Sequence, residues 1–399
     1  MMLPNGWKKV KLGEICNKIG SGSTPKGGRE VYLNAGIPII RSQNVLNGFL
    51  DLNDVAFISD EQHSKMKGTW VHPNDILLNI TGASIGRSCV VPATVKMANV
   101  NQHVCIIRLN ECADACYVCN LILSKDVQKQ IELLSVGGGR QGLNFQQIAS
   151  FGFLLPPLEE QKKIAEILAT QDRVIELKEK LIAEKQSQKK YLSQMLLTGK
   201  KRVGDYKDHW EYSALSNYLT IKDVRQIPND EAPLMAFIAG MGVSPKGERY
   251  DRSFLVKNDK KEYKRTDLND FIYSSNNLDV GSIGLNSYGS ASISVVYEIF
   301  SVNSNAVPVV LSSIIQLPEN LNYALRFRQG AIYGQYRIYA EDFLSMKIKI
   351  PSLPEQKAIA DVLSAADEEI SLLQKSLEQE KLKKKSLMQL LLTGLVRVQ

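Results

Sequence analysis

The sequence predicts an α+β protein with a pseudo-two-fold repeat, in which two strand-rich mixed α/β domains are separated by two long helices that form an antiparallel intramolecular coiled coil. Three observations predict this fold. The segment 156–199 recurs 195 positions later, with 20 identities in 44 positions. Both copies carry a heptad pattern. Short apolar runs bounded by Gly, Asn, Ser and Pro fill the remaining sequence, as is typical of strands.

Length and composition limit the class of protein to which the chain can belong. The 399 residues are 44% hydrophobic and 23% charged, which is typical of a globular protein of two or three domains. No apolar run approaches the ~18 residues of a membrane helix, and no signal-peptide pattern opens the chain. We therefore expect a soluble, cytoplasmic protein. The net charge of +7 permits an anionic partner without proving one.

Residues 1–155 form the first predicted domain. Its strands are expected at runs such as Ile37-Pro38-Ile39-Ile40, Asp75-Ile76-Leu77-Leu78 and Val104-Cys105-Ile106-Ile107. A helix is expected from Tyr117 to Leu134. Residues 204–350 form the second predicted domain by the same criteria. Weaker repeats relate the two domains: Trp7 matches Trp210, and Gly82-Ala83-Ser84-Ile85-Gly86 matches Val280-Gly281-Ser282-Ile283-Gly284.

Residues 156–203 and 351–399 form the two predicted helical segments. Ser352 with Glu355 fits a capping box, and Glu159-Glu160 places acids in the first turn of the other copy. Gly199 and Gly394 fit the position after the last turn. About 40 residues lie between these ends, so each helix should be about 60 Å long at ~1.5 Å per residue.

A stripe at heptad spacing runs along each predicted helix, and we call these two stripes the seam. In the second copy its members are Ile359, Leu363, Ala366, Ile370, Leu373, Leu377, Glu380, Lys384, Leu387 and Leu391. In the first copy they are Ile164, Leu168, Gln171, Ile175, Lys178, Ile182, Lys185, Lys189, Leu192 and Leu196. Pairing of the two copies is favoured, and packing of each helix on its own domain is the alternative. The shared sequence suggests that one kind of partner could bind twice.

Polar and basic side chains occur in the predicted loops of both domains. Arg, Asn, Gln and Ser can read base edges, while Lys and Arg hold phosphates. Any single loop is more readily explained as a solvated turn, and only the recurrence in both domains favours DNA. The candidate DNA-binding residues are Ser23, Thr24, Lys26, Arg41, Gln43, Asn44, Thr81, Ser84, Arg87, Asn101, Gln102, Arg140, Gln141, Asn144, Lys246, Arg249, Asn276, Asn277, Ser282, Asn286, Tyr288, Tyr336 and Arg337.

These motifs together resemble one known family. The start Leu155-Pro156-Pro157-Leu158-Glu159-Glu160-Gln161, the end Gln194-Met195-Leu196-Leu197-Thr198-Gly199 and their repetition resemble the conserved regions of the specificity (S) subunit of type I restriction-modification enzymes. Gly22-Ser23-Thr24-Pro25 followed by Gly36-Ile37-Pro38 resembles the opening of that family's target recognition domain. The second half departs from the pattern, with Ser244-Pro245-Lys246 in place of the Thr-Pro element.

The resemblance implies a non-catalytic subunit without a cofactor. Residues 1–155 and 204–350 would be target recognition domains that each read one half of a split double-stranded DNA site. The helices would set the spacing and dock two methyltransferase (M) subunits, which carry adenine-N6 methylation; restriction (R) subunits could join them. The helix residues assigned to spacing or docking are Glu160, Gln161, Ile164, Leu168, Ile175, Leu196, Glu355, Gln356, Ile359, Leu363, Ile370 and Leu391.

Other catalytic motifs are weak. Cys112, Cys116 and Cys119 have a spacing seen in iron–sulfur enzymes, but they also follow a helical period, so a buried core stripe is favoured. Pro156-Pro157 lacks the amide and aromatic neighbours of an adenine methyltransferase motif. No phosphate-binding loop occurs, and the four histidines show no metal-ligand spacing. His103 is interpreted as a structural histidine. Two other hypotheses remain open: a coiled-coil adaptor that binds protein, and a thiolate-cluster enzyme.

Overall fold

The computed structural model describes residues 4–25, 31–135, 142–245, 261–276, 278, 282–332 and 335–398. The chain divides into two compact units. The first unit comprises residues 1–180 with 375–399, and the second comprises residues 181–374. Two helices of 40 residues each, α5 (Leu158–Leu197) and α9 (Leu353–Leu392), contribute to both units. Their bounds differ by 195, as the sequence repeat predicts.

The first unit is built on a four-stranded antiparallel sheet of order β2-β8-β5-β6, beside a three-stranded sheet of order β4-β3-β7. A further pair, β1 with β9, joins the two ends of the domain by placing Lys8 opposite Leu155. The strands are β1 Lys8–Lys11, β2 Cys16–Ser21, β3 Ile37–Ile40, β4 Ala56–Ile58, β5 Ile76–Asn79, β6 Ser88–Val90, β7 Asn99–Val100, β8 Val104–Leu109 and β9 Gly152–Leu155. The short helices are α1 Asp60–Lys65, α2 Ala115–Leu123, α3 Lys125–Ser135 and α4 Phe145–Ala149.

The segment from Tyr117 to Leu134 is helical, but it forms two helices, α2 and α3, and not the one continuous helix that was predicted. Asp114 caps the first by accepting a 2.8 Å hydrogen bond from the Tyr117 backbone N–H. Ser124 is extended, and its hydroxyl donates to the Leu121 carbonyl at 2.6 Å. Serine competes with helical backbone bonding in this way, which ends α2 before α3 begins.

The cysteine stripe is buried only in part. Cys112 precedes α2 and is exposed, as is Cys116, whereas Cys119 is buried. The core prediction therefore holds for Cys119 alone. Burial raises the pKa of the Cys119 thiol to about 12, so it stays protonated at neutral pH. Among the described residues, no group of three or more His, Cys, Asp or Glu side chains could hold a metal ion.

The main core of the first unit lies between the four-stranded sheet and helices α2 and α3. Ile76 and Ile107 from the sheet pack with Tyr117 of α2, and all three side chains are fully buried. Leu168 of α5 and Leu391 of α9 complete the same cluster. Each buried side chain of this size contributes about 1.5–3 kcal/mol to folding. The two long helices are therefore integral to the core of the unit.

The second unit repeats this plan. Its four-stranded antiparallel sheet has the order β11-β19-β16-β17, and β10 pairs with β22 so that Glu211 lies opposite Ile350. Smaller sheets are β12-β15-β18, β13-β14 and β20-β21. The strands are β10 Glu211–Ala214, β11 Leu219–Ile221, β12 Arg225–Gln226, β13 Ala236–Ile238, β14 Gly242–Ser244, β15 Tyr263–Thr266, β16 Phe271–Ser274, β17 Ile283–Leu285, β18 Ala291–Ile293, β19 Tyr297–Val302, β20 Gln329–Ile332, β21 Gln335–Arg337 and β22 Lys347–Ile350. The short helices are α6 Pro308–Ile315, α7 Pro318–Ala324 and α8 Ala340–Ser345.

Aromatic packing dominates the core of the second unit. Tyr273 stacks on Phe300 with ring centroids 5.8 Å apart, and its ring lies 4.5 Å from that of Phe343. The Tyr273 hydroxyl donates to the Ile338 carbonyl at 3.1 Å, which satisfies its buried polar end. Leu196 of α5 and Ile359 of α9 join this cluster. Their equivalents in the repeat, Leu391 and Ile164, join the main core of the first unit.

The two long helices pack antiparallel within each unit, and the coiled-coil prediction is confirmed. Every predicted seam residue is buried or half-buried. In the first unit, Asp172 of α5 pairs with Lys384 of α9. In the second unit, the equivalent residues pair with the helices exchanged: Asp367 belongs to α9 and Lys189 to α5. The polar middle of the α5 seam is therefore matched by charged groups of α9. Within the described part of the chain, no helix has the length and apolarity needed to cross a membrane.

Candidate DNA interface

One edge of the main sheet of the first unit collects most of the predicted DNA-binding residues of that domain that the structure describes, seven of eleven. Strands β2 and β5 end at this edge, while β8 begins there, because Ser21 lies opposite Cys105 and Asn79 lies opposite Val104. The segments that continue from these strands, 22–25, 80–87 and 99–103, therefore lie at the same edge. We call this set of loops the first loop cluster.

A chain of hydrogen bonds joins three of these segments. The Thr24 hydroxyl donates to Gln102 Oε1, and the Gln102 amide donates to His103 Nε2 at 3.0 Å. His103 Nδ1 then lies 2.7 Å from the Thr81 hydroxyl. Both ring nitrogens of His103 thus have partners, as expected of a structural histidine. Thr24 and Gln102 remain exposed, so their polar ends can meet a ligand.

Gly22 allows the segment carrying Ser23 and Thr24 to lie against the sheet. Its N–H donates to the Asn101 carbonyl at 3.1 Å. A Cβ at this position would lie 1.7 Å from the Val100 carbonyl oxygen, so no other residue fits without a backbone shift. The glycine of the Gly-Ser-Thr-Pro motif is therefore required by close backbone approach.

Replacing Gly22 with alanine is expected to destabilise the first unit by about 1–3 kcal/mol, because overpacking displaces the segment 22–25. The matched control is Gly20→Ala, two residues earlier in β2, where the added Cβ meets only the Lys18 side chain, at 3.9 Å. Chemical denaturation followed by tryptophan fluorescence measures both. Equal stability of the two variants would show that the segment does not need this glycine.

Arg41, Gln43 and Asn44 form a tight loop beside the first loop cluster. Asn44 is 2% exposed and holds the loop together, since its Oδ1 accepts from the Arg41 N–H at 3.0 Å and its Nδ2 donates to the Asp51 and Asp54 carbonyls. Gln43 binds the Asp54 carboxylate at 2.8 Å. Asn44 consequently shapes the loop and cannot read a base, whereas exposed Gln43 and half-buried Arg41 lie at the surface.

The turn between β5 and β6 presents Arg87. Gly82 and Gly86 both adopt positive φ, +71° and +86°, which lets the chain reverse within six residues. Arg87 is exposed and has no ion-pair partner among the described residues, while Ser84 is half-buried in the same turn. An unpaired guanidinium in this position can bind a phosphate or a guanine edge.

Two other predicted residues of the first domain have structural partners. Asn144 caps α4 in a reciprocal capping box with Gln147, with both bonds 2.8 Å long. Asn101 is 7% exposed, and its Oδ1 accepts from the His103 backbone N–H. Lys26, Arg140 and Gln141, and in the second domain Lys246, Arg249 and Asn277, lie outside the described residues.

The second unit has a comparable loop cluster at the edge where β16 ends and β17 begins. Exposed Asn276 and half-buried Ser282 flank this edge, and the Ser274 N–H donates to the Ser282 carbonyl. Tyr288 is 48% exposed but follows the end of β17, so it lies at the opposite edge of this sheet and is not part of the cluster. Asn286, by contrast, is fully buried and bonds Thr266, Tyr288 and Gly289, so it shapes its turn rather than contacting a ligand.

Charged side chains surround the exposed part of this second loop cluster. Arg337 donates to Glu298 at 2.9 Å, and buried Lys264 binds the other Glu298 oxygen at 3.0 Å. The Arg337 guanidinium also lies 5.0 Å from the Tyr339 ring centroid. Tyr336 is 49% exposed beside it. The pairing with Glu298 fixes Arg337 in place while leaving about half of its side chain in solvent.

The Glu-Gln motif at the start of each long helix makes buried contacts within its own unit. Glu160 accepts two hydrogen bonds from Arg397, at 2.7 and 2.9 Å, and one from the Trp7 indole at 3.1 Å. We call this group the first latch. Arg397 holds the pKa of the Glu160 carboxyl below its usual range, despite burial. The tail after α9 is thereby tied to the start of α5.

The second latch repeats this geometry. Glu355 accepts from Arg202 at 2.6 Å and from the Trp210 indole at 3.0 Å. The Glu355 carboxylate therefore binds Arg202 and Trp210 in the latch instead of forming the predicted capping box. Because Glu160 and Glu355 are 7% and 1% exposed, they cannot provide a docking surface.

The glutamines of the motif tie each helix to its own domain. Gln161 accepts from the Asp114 N–H at 2.8 Å, and Gln356 accepts from the Val307 N–H at 2.8 Å. These contacts fix the residues that immediately precede α2 and α6. Of the remaining helix residues predicted to act in spacing or docking, all but the half-buried Ile175 and Leu363 are buried in the seam or core: Ile164, Leu168, Leu196, Ile359, Ile370 and Leu391.

Known proteins are similar to this chain over most or all of its length. The model of the type I restriction modification DNA specificity domain matches residues 4–185 and 243–382. Two relatives from Methanocaldococcus jannaschii are similar over the whole chain. The putative type I restriction enzyme MjaX specificity subunit is 26% identical, covering 99% of this chain and 95% of its own. The type I restriction enzyme MjaVIII specificity subunit is 24% identical, covering 100% and 95%.

Solved structures share the fold. The HsdS subunit from Thermoanaerobacter tengcongensis aligns with a TM-score of 0.56 at 17% identity, over 99% of this chain and 98% of its own. A chain from a structure on complex assembly and conformational transition of the type I R-M system aligns with a TM-score of 0.63 at 16% identity, over 98% and 99%. The predicted fold class is confirmed.

Proposed function

Because the chain belongs to the type I restriction-modification DNA specificity family, whose model matches most of its length, we propose that its two loop clusters each read one half of a split duplex sequence. The chain is a DNA specificity subunit and is not itself the catalyst. The observation that carries the finer proposal is the repetition of one sheet plan, with polar loops at one sheet edge in each domain.

The first loop cluster offers the chemistry that base reading requires. Exposed Gln102 can contact the adenine edge, and exposed Arg87 can contact guanine or a phosphate. The hydrogen-bonded chain from Thr24 to Thr81 holds Gln102 in place before DNA binds, which lowers the entropy lost on binding. This cluster is accordingly proposed as the reader of one half-site.

The second loop cluster offers a different set of groups. Arg337 is held by Glu298, and exposed Tyr336 precedes it in the chain. Tyrosine and arginine can contact phosphates, and arginine can also read guanine. Since the two clusters share a sheet plan but differ in side chains, each half-site is proposed to have its own sequence.

The long helices are proposed to fix the gap between the half-sites and to dock methyltransferase subunits. Each helix is continuous over 40 residues, which is about 60 Å at ~1.5 Å per residue. Interhelical ion pairs along the seam make the pair stiffer than a single helix. Adenine-N6 methylation would then come from two M subunits, and cleavage, where it occurs, from R subunits; a cytoplasmic location is proposed with these partners.

Selection of binding sites from random duplex DNA tests this function. The full chain, bound to an adenine methyltransferase subunit, should enrich two short sequences separated by a fixed number of unread base pairs. A mismatch at a read position should cost about 1–3 kcal/mol. Affinity should fall steeply with salt, because phosphate contacts release counterions. Enrichment of no sequence, together with salt-independent association, would favour a protein-binding adaptor instead.

A further inference from the structure

A row of side chains with alternating charge lies at the sheet edge that carries the second loop cluster. Glu298 is the second residue of β19, the strand that begins at this edge, and it accepts from Arg337 at 2.9 Å. Lys264 donates to the other Glu298 oxygen at 3.0 Å and also lies 3.6 Å from Asp223. Glu298 and Lys264 are 8% and 6% exposed, whereas about half of the Arg337 side chain is in solvent. Two buried charges therefore hold one exposed guanidinium.

Glu298 takes the place of an apolar residue in the first unit. The strand pairs at the centre of the two main sheets, β16 with β19 and β5 with β8, correspond when their last residues at this edge are aligned, so Glu298 corresponds to Cys105. Cys105 is fully buried. Burial of a carboxylate is unfavourable unless it is paired, and the same sheet forms with a cysteine there. The fold of the sheet therefore does not account for Glu298.

Arg337 likewise has no side-chain counterpart in the first unit. The Ile338 N–H donates to the carbonyl of the residue that follows β16, at 3.1 Å, and the equivalent Leu143 N–H bonds the residue that follows β5, at 2.9 Å. The residue before Leu143 is Gly142, so a glycine lies where the second unit has Arg337. Both members of the ion pair thus differ between the units. This is expected of groups that select a sequence and not of groups that form the shared fold.

The surroundings of the Arg337 guanidinium favour a base over a phosphate as its ligand. Glu298 accepts from one of its five N–H groups, the Tyr339 ring centroid lies 5.0 Å away, and no other described residue accepts from it. The nearby carboxylate offsets much of the attraction between the cation and a phosphate. The remaining N–H groups keep their directions, and two of them on one edge match O6 and N7 of guanine.

We propose that Arg337 reads a guanine in one half-site, that Glu298 is its positioning residue, and that Lys264 allows Glu298 to remain charged in a buried place. The inference rests on the proposed function and adds the base and the residues that select it. Because Gly142 and Cys105 occupy the corresponding positions, the first loop cluster has to read its half-site with other groups.

Replacement of Arg337 tests the inference through base preference. Sites are selected from random duplex DNA by the full chain bound to an adenine methyltransferase subunit. The original chain should select a guanine–cytosine pair at a fixed position of one half-site. Arg337→Ala should lose discrimination at that position only, by about 5- to 150-fold, the range for one bidentate contact. Arg337→Lys should lose it too, because an ammonium keeps the charge but lacks the planar pair of donors.

Glu298→Gln separates positioning from a structural role. Lys264 keeps Asp223 as an ion partner, so thermal unfolding should show a folded second unit. Preference for the guanine should fall about tenfold, because a neutral amide holds the guanidinium less firmly than a carboxylate does. Affinity for unrelated duplexes should rise, since the charge of Arg337 is no longer offset. A merely structural role would weaken binding to every sequence and leave the preference unchanged.

Arg265→Ala provides the matched control. Arg265 binds Asp267 at 3.2 Å, but it lies on β15 beside the turn before β16, at the opposite edge of the unit. This variant should keep every base preference.

Three results would overturn the assignment of Arg337. The first is a pair of selected half-sites without a fixed guanine–cytosine pair, and the second is an unchanged guanine preference in Arg337→Ala. The third is a uniform loss of affinity in Arg337→Ala with a salt slope lower by about one, which would make Arg337 a phosphate contact. Selection of no split sequence by the original chain would instead refute the proposed function itself.

Discussion

Replacing Arg202 with alanine is expected to lower the free energy of unfolding of the second unit by about 3–5 kcal/mol, because it leaves a buried carboxylate without its charge partner. The Glu355 side chain is 1% exposed, and Arg202 supplies a bidentate contact to it. The Trp210 indole would remain as a donor but carries no charge. Tryptophan fluorescence during denaturation reports this change directly, since Trp210 belongs to the second latch.

An exposed ion pair provides the control for this prediction. Arg173 binds Glu176 at 2.7 Å, but both side chains are about half exposed. Arg173→Ala should therefore cost much less stability than Arg202→Ala, because an exposed ion pair contributes little. Adding Glu355→Gln to Arg202→Ala should recover part of the lost stability by removing the unpaired charge. If Arg202→Ala destabilised no more than Arg173→Ala, the second latch would not hold the unit together.

Lengthening both long helices by one heptad is expected to change the preferred gap between half-sites. Seven residues inserted after Lys180 in α5 and seven after Gln374 in α9 keep the seam in register, because the insertions match the heptad period. They add about 10 Å at ~1.5 Å per residue, or about three base pairs at ~3.4 Å each. Affinity for the original gap should fall at least tenfold.

The preferred gap should be measured by binding to duplexes that carry the selected half-sites at every gap. Three added base pairs also rotate one half-site about the DNA axis by about 100° relative to the other, at ~10 base pairs per turn. Because of this rotation, the best affinity of the lengthened chain should stay below that of the original. Seven residues inserted between Asp230 and Glu231, in an exposed turn, provide the control and should leave the gap unchanged. An unchanged gap in the lengthened chain would refute the spacer role without affecting recognition.

The seam was predictable because burial along a helix follows a fixed period. Gln171 and Lys178 lie at seam positions although they are polar, and α9 supplies Glu380 to bind both. Spacing alone therefore placed these side chains at the interface between the helices. The bounds of α5 and α9 followed equally from the repeat, since 158 and 353 differ by the same 195 positions as the motifs.

The latches could not be predicted from local patterns, because they join residues far apart in the chain. Glu160 and Arg397 are separated by 237 positions. One signal was present nevertheless: the repeat continues beyond Gly199 and Gly394 to Arg202 and Arg397. An arginine kept in register after the end of a helix indicates a specific partner, and the repeated Glu is the candidate of opposite charge.

Loop residues were the least predictable part of the site. Asn44 and Asn286 have the same residue type as Asn276, yet the first two are buried within turns and the third is exposed. An asparagine can cap its own turn or face a ligand, and the choice depends on the turn geometry that surrounds it. Sequence therefore located the loops but could not assign the role of each side chain.

Exchange of one domain tests most directly whether each loop cluster reads its own half-site. Residues 204–350 are replaced by the aligned domain of a relative, such as the MjaX specificity subunit from Methanocaldococcus jannaschii. Sites are then selected from random duplex DNA in parallel with the original chain. We predict that one half-site changes while the other half-site and the gap are retained. A change in both halves, or in neither, would contradict recognition by two independent domains.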